Sequence, residues 1–206
     1  MKNFLAIDTS CNYLTVVAVK DGKEFCEFLP DCSMRHAVQL MEAVDTVLQR
    51  ANATLDEFDY FAAVVGAGSF TGIRIAISAV KGFCLATGKP SLAVTSFDVA
   101  AYNAISEGKL LCLVDALHDC YYACGYEKGE VVLQPSFLEE AEILRLEQEG
   151  YTLVSCMPLP LQEKASVKIV NPVTGLKNAS IELAQKGFGE LTAFYVRKSS
   201  AELNQR

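Results

Sequence analysis

Two stretches far apart in the chain carry the same succession of landmarks, and this internal repeat constrains the fold more than any single motif. The first, "FLAIDTSCNYLTVVAVKDGKEFCEF", runs from an apolar strand ending at Asp8, through a polar turn and a second apolar run, to a hairpin turn at Asp21-Gly22. The second, "LLCLVDALHDCYYACGYEKGEVVL", ends its strand at Asp115 and reaches a turn at Lys128-Gly129. Asp8 and Asp115 are 107 positions apart, as are Gly22 and Gly129. A repeat at half the length of a 206-residue chain predicts two related units. We place them at residues 1–105 and 106–206, with the boundary near Ser106-Glu107-Gly108.

Helices and strands alternate between these landmarks. "MRHAVQLMEAVDTVLQR" sets Ala37, Leu40, Met41, Val44, Val47 and Leu48 on one stripe at helical spacing. "FDYFAAVVG" reads as a buried strand and "PSLAVTS" as a later one. In the second half "SFLEEAEILRLEQEG" predicts a helix, "YTLVSC" a strand and "NASIELAQKG" a terminal helix closed by Gly187. The alternation argues for mixed α/β layers.

A composition of 51% hydrophobic and 21% charged residues is that of a globular chain with a real core. No run of about 18 apolar residues is evident, which predicts no membrane span and a cytosolic address. The net charge of −7 makes the chain a poor ligand for polyphosphate, so any service to RNA would pass through a partner. The eight cysteines lie mostly in apolar runs and read as reduced, buried thiols. With two histidines, His36 and His118, isolated from each other, no metal cluster or metallopeptidase motif is expected. Neither Ser69 nor Cys11 sits in a nucleophile signature, so no catalytic residue is assigned.

"GAGSFTGIRIA", residues 66–76, follows an apolar strand and opens a helix, the setting of a phosphate-binding loop. It fits neither familiar template. Gly72 is followed by Ile73 rather than Lys, and Thr71 stands where a dinucleotide fingerprint needs glycine. A structural strand-to-helix turn capped by Ser69 or Thr71 is the simpler reading, with anion binding at the helix N-terminus the other. The helix "GIRIAISAVKGFCLATG" has only Arg74 and Lys81, with Ser78 between them, on its polar stripe. A helix apolar nearly all round must be covered on more than one side, either within its own unit or by another polypeptide.

Taken together, "LAIDTS", "RHAVQLM", "GAGSFTGIRIA", "AVKG", "VDA" and the C-terminal "FYVR" resemble the bacterial TsaB (YeaZ) family. These are accessory subunits of the machinery that makes threonylcarbamoyladenosine in tRNA. The chain departs from the family pattern at Ala37, Ala67, Ala76, Leu117, His118 and Phe194. The resemblance implies a duplicated actin-like, sugar-kinase-like (ribonuclease H-like) ATPase fold. It also implies a non-catalytic subunit that binds its paralogue TsaD, acts with the ATPase TsaE, meets tRNA only indirectly and forms a homodimer when alone. On this reading helices 34–50 and 72–87 pack against the matching helices of TsaD, with Met34, Val38, Met41, Ile73, Ile77 and Phe83 as candidate contacts.

Actin-like ATPases hold phosphates and metal between their halves, using an acid from each first hairpin. By that resemblance Asp8, Thr9, Ser10, Gly68, Ser69, Thr71 and Asp115 form a candidate nucleotide or anion site, with ATP or ADP and magnesium at a partner junction. Against it, the second-half counterparts of Thr9 and Ser10 are Ala116 and Leu117, which lack the donors. Asp8 and Ser10 capping their own turn is the simpler reading. A stand-alone ATP-binding protein or small kinase is the rival expectation.

Overall fold

The computed structural model describes residues 2–104 and 108–197. The boundary expected at 105–106 therefore lies outside the described residues. Five strands precede it: β1 (Phe4–Asp8), β2 (Leu14–Lys20), β3 (Lys23–Leu29), β4 (Tyr60–Val64) and β5 (Ser91–Val94). Five follow it: β6 (Lys109–Asp115), β7 (Cys120–Glu127), β8 (Glu130–Glu139), β9 (Thr152–Ser155) and β10 (Val167–Ile169). The helices are α1 (His36–Ala51), α2 (Phe70–Thr87), α3 (Ser96–Ala101), α4 (Glu140–Gln148) and α5 (Pro172–Lys186).

The repeat is realised in both backbones. One sheet has the order β3-β2-β1-β4-β5 and the other β8-β7-β6-β9-β10. In each, the opening hairpin is antiparallel and the last two strands run parallel to the first. The two hairpin turns have the same left-handed conformation, with φ of 51° and 76° at Asp21-Gly22 and 52° and 83° at Lys128-Gly129. Such turns match the right-handed twist of the strands they join.

Alternation along β1 sends Leu5 and Ile7 to one face and Phe4 and Ala6 to the other, so both faces need cover. Leu40, Val44 and Val47 of α1, with Ile73, Ala76, Ile77 and Val80 of α2, close the first face. Val99 of α3 and Leu176 and Ala179 of α5 close the second. Phe97, Ala100 and Ala101 of α3 also pack on Leu110, Cys112 and Tyr126 of the second sheet, so this short helix sits between the two sheets. Ile143 and Leu146 of α4 cover the remaining face.

Two elements differ from expectation. Residues 136–139, expected in a helix, extend β8 because Phe137 and Leu138 pair with Tyr122 and Tyr121. There cross-strand packing overrides local propensity. Helix α5 begins at Pro172, earlier than expected, with the Asn171 side chain accepting from the Val173 and Thr174 N–H groups. Helix α2 is long and apolar enough by composition to pass for a membrane span, although Arg74 and Lys81 interrupt its apolar run. Its core-facing stripe is spent on the sheet.

Candidate functional site

The ends of β1 and β6 meet across a cleft of about 440 Å³, with Ser10, Gly68, Ser69 and Ser96 on one wall and Asp115, Tyr122, Ser155 and Cys156 on the other. The expected polar residues are nearby, yet Asp8, Thr9 and Ser10 are hydrogen-bonded within the chain. Asp8 is fully buried and is not part of the lining. Its Oδ1 accepts from the Ser10 N–H at 2.8 Å and the Ser10 hydroxyl at 2.7 Å, and its Oδ2 accepts from the Tyr13 hydroxyl at 2.9 Å. Burial outweighs these donors and holds the Asp8 pKa above the usual carboxylate range. The buried Thr9 hydroxyl donates to the Gly72 carbonyl at 2.6 Å. Ser69 caps α2 by accepting from the Gly72 N–H at 3.2 Å.

The second hairpin repeats the first without its hydroxyls, Ala116 and Leu117 standing where the first has Thr9 and Ser10. Asp115 Oδ1 accepts from the Leu117 N–H at 2.8 Å, as Asp8 does from Ser10. Leu117, His118 and Asp119 follow in three successive left-handed conformations, φ 65°, 55° and 57°. Of the candidate anion residues, the fold brings Ser10, Gly68, Ser69 and Asp115 to the cleft. Asp8 and Thr9 are turned inward, and Thr71 lies on the outer side of α2. Of these residues Asp115 and Ser69 line the cleft, while the Thr9 and Ser10 hydroxyls already donate within the chain.

Close packing accounts for the glycines of the loop. A Cβ at Gly72 would run into the Thr9 carbonyl oxygen, and one at Gly68, where φ is 149°, into that of Ser10. The loop is thus pressed onto the β1–β2 turn, and the Ser69 N–H donates to the Ser10 carbonyl at 2.7 Å. Cys11, half-buried beside Asp8, has its thiol pushed up to about 12 by burial and by that carboxylate, which keeps it protonated. His36, isolated in the sequence, is buried, its Nε2 at 2.9 Å from the Tyr13 carbonyl oxygen, which ties α1 to the first hairpin.

The second feature is the outer face of α1 and α2. Met34 is 99%, Val38 80% and Leu85 88% exposed, and Met41 and Phe70 are also exposed. A groove between the helices is lined by Ala37, Met41, Phe70, Arg74, Ile75 and Ala79, among others. Of the six candidate contacts, Met34, Val38 and Met41 lie on this surface. The other three do not: Ile73 is 0%, Ile77 8% and Phe83 7% exposed, because they fill the core against β4 and its neighbours. Sequence reading missed Phe70, Arg74 and Leu85. The signal was present, since Arg74, Ser78 and Lys81 marked the outward line of α2 and Phe70 and Leu85 fall on it at helical spacing.

The C-terminal segment joins this face. The Phe194 N–H donates to the Val65 carbonyl at 2.7 Å, and the Tyr195 ring stacks on Phe70 with centroids 5.3 Å apart.

A family model described as TsaD, tRNA N6-adenosine threonylcarbamoyltransferase, matches residues 28–201. The Escherichia coli tRNA threonylcarbamoyladenosine biosynthesis protein TsaB is 28% identical over 149 residues, 66% of this chain and 64% of that protein. The chain belongs to the TsaD family, as a TsaB (YeaZ)-type member. The TsaB of Buchnera aphidicola from Schizaphis graminum is 32% identical over 100 residues, 48% of this chain and 47% of that protein. The chain therefore spans less than two thirds of the length of these curated relatives. YeaZ from Pseudomonas aeruginosa has the same fold, with a TM-score of 0.75 and 23% identity over 96% of this chain and 100% of that one. The actin-like, ribonuclease H-like duplication is thus the fold of this TsaB-type chain.

Proposed function

We propose that this chain is a non-catalytic subunit that docks on a TsaD-like paralogue and supports formation of N6-threonylcarbamoyladenosine at position 37 of tRNA. The observation that carries the proposal is the apolar α1–α2 face, where Met41 and Phe70 line one groove and Met34, Val38 and Leu85 are exposed as well. A patch of this kind on an otherwise charged chain favours a protein partner. Relatives named as threonylcarbamoyladenosine biosynthesis proteins support the pathway. The inward-turned Asp8 and Thr9 and the Ser10 hydroxyl bonded to Asp8 support a subunit without chemistry of its own.

In this scheme unit 1–105 carries the docking helices and unit 106–206 is degenerate. In support, the connection between β9 and β10 holds only a short turn, Pro160–Glu163, where the first unit has α2. A TsaE-like ATPase completes the assembly, tRNA is met through the partner, and the site of action is the cytoplasm. Alone, the chain covers the same face by pairing with itself.

The test is product formation on tRNA, read by mass spectrometry, with the transferase, the TsaE-like ATPase and the adenylate-forming enzyme, with and without this chain. Product that requires the chain supports the proposal. Equal product without it overturns the proposal.

A further inference from the structure

Arg74 stands in the α1–α2 groove with its guanidinium Cζ 3.8 Å from the centre of the Phe70 ring. Its Nε donates to the Tyr195 hydroxyl at 3.2 Å. Among the described residues no carboxylate pairs with it. Its two terminal nitrogens make no hydrogen bond or ion pair among the described residues. An arginine placed over an aromatic ring and fixed through Nε has already lost much of its freedom, and the remaining fork matches a planar carboxylate.

We propose that Arg74 is the specificity determinant of the docking face and takes a carboxylate from a helix of the transferase paralogue seated in the groove. This rests on the docking reading above and adds to it the chemistry that the occupant must supply. The groove around Arg74 is apolar, with Ala37, Met41, Ile75 and Ala79 at its sides, so the ion pair forms where water is largely displaced. A protein helix fits this setting better than nucleic acid, because the chain carries a net charge of −7 and repels a polyanion. Tyr195 acts as a positioning residue, holding the fork toward the groove from the C-terminal segment.

The experiment measures affinity for the transferase paralogue by calorimetry with Arg74→Gln, Tyr195→Phe and Met41→Asp, each first checked for an unchanged melting temperature. Arg74→Gln should weaken binding roughly tenfold or more, and Tyr195→Phe by less. Replacing one Asp or Glu at a time on the partner's docking helices should then find one position that no longer matters once Arg74 is Gln. If Arg74→Gln binds like the natural chain while Met41→Asp does not, the carboxylate inference falls and the docking face stands. Should both bind normally, the docking reading fails as well. If Arg74→Gln leaves the protein affinity unchanged but reduces tRNA retention by the complex, the ligand of Arg74 is a phosphate and the inference is overturned.

Discussion

Gly72 sits inside a helix, where propensity alone favours alanine by about 1 kcal/mol. Packing reverses that sign. A Cβ would meet the backbone carbonyl of Thr9, which cannot swing aside as a side-chain end could. Gly72→Ala should therefore cost about 2–3 kcal/mol in urea unfolding; a stabilised variant would mean that the loop does not press on the β1–β2 turn. Asp8 makes a second prediction at this scale. Burial raises its native pKa, so the native state holds the proton more tightly than the unfolded chain does. The charge is a full penalty above the native pKa, and that penalty fades as the pH falls through it toward the unfolded value of about 4. Asp8→Asn keeps acceptors for Ser10 and carries no charge. The stability of the natural chain relative to Asp8→Asn should rise as the pH is lowered from about 7 to about 4 in a thermal unfolding series. A relative fall would mean that the donors from Ser10 and Tyr13 outweigh burial.

At the scale of the element, α2 serves two surfaces. Its inner line, Ile73, Ile77 and Val80, fills the core of the first unit, and its outer line runs through Phe70, Arg74, Ser78, Lys81 and Leu85. Substitutions on the two lines should separate. Ile77→Asp buries a charge in an apolar cluster and should cost about 4 kcal/mol or leave the chain unfolded. Val38→Asp, on the exposed face of α1, should change stability by no more than about 0.5 kcal/mol while abolishing self-association in sedimentation measurements. If Val38→Asp sediments like the natural chain, the α1–α2 face is not where copies meet. Periodicity revealed both helices but could not say which apolar line faced inward, because a nearly all-apolar helix offers no contrast except its few polar positions.

For the whole molecule, duplication has produced two similar frames with unequal equipment. Asp8 and Asp115 hold the same place in their hairpins, yet the first is sealed by Ser10 and Tyr13 and the second caps a turn that lacks hydroxyls. Calorimetry of the isolated chain with ATP and magnesium in millimolar excess should give no saturable heat. Saturable binding, lost in Asp115→Asn, would restore the stand-alone ATPase reading.

What the sequence determined by itself was the repeat. Two acids and two glycine turns at a fixed offset predicted paired frames, and most strands, both hairpin turns and most helices fell where period and turn chemistry placed them, β10 not among them. The extension of β8 through Phe137 and Leu138 was decided by their cross-strand partners, which no local window contains. Tertiary structure alone also decided that His36 is buried on the Tyr13 carbonyl and that Tyr195 reaches Phe70 and Arg74 from the far end of the chain. Each of these rests on contacts between residues distant in sequence, whereas periodicity and turn propensity report only on neighbours along the chain.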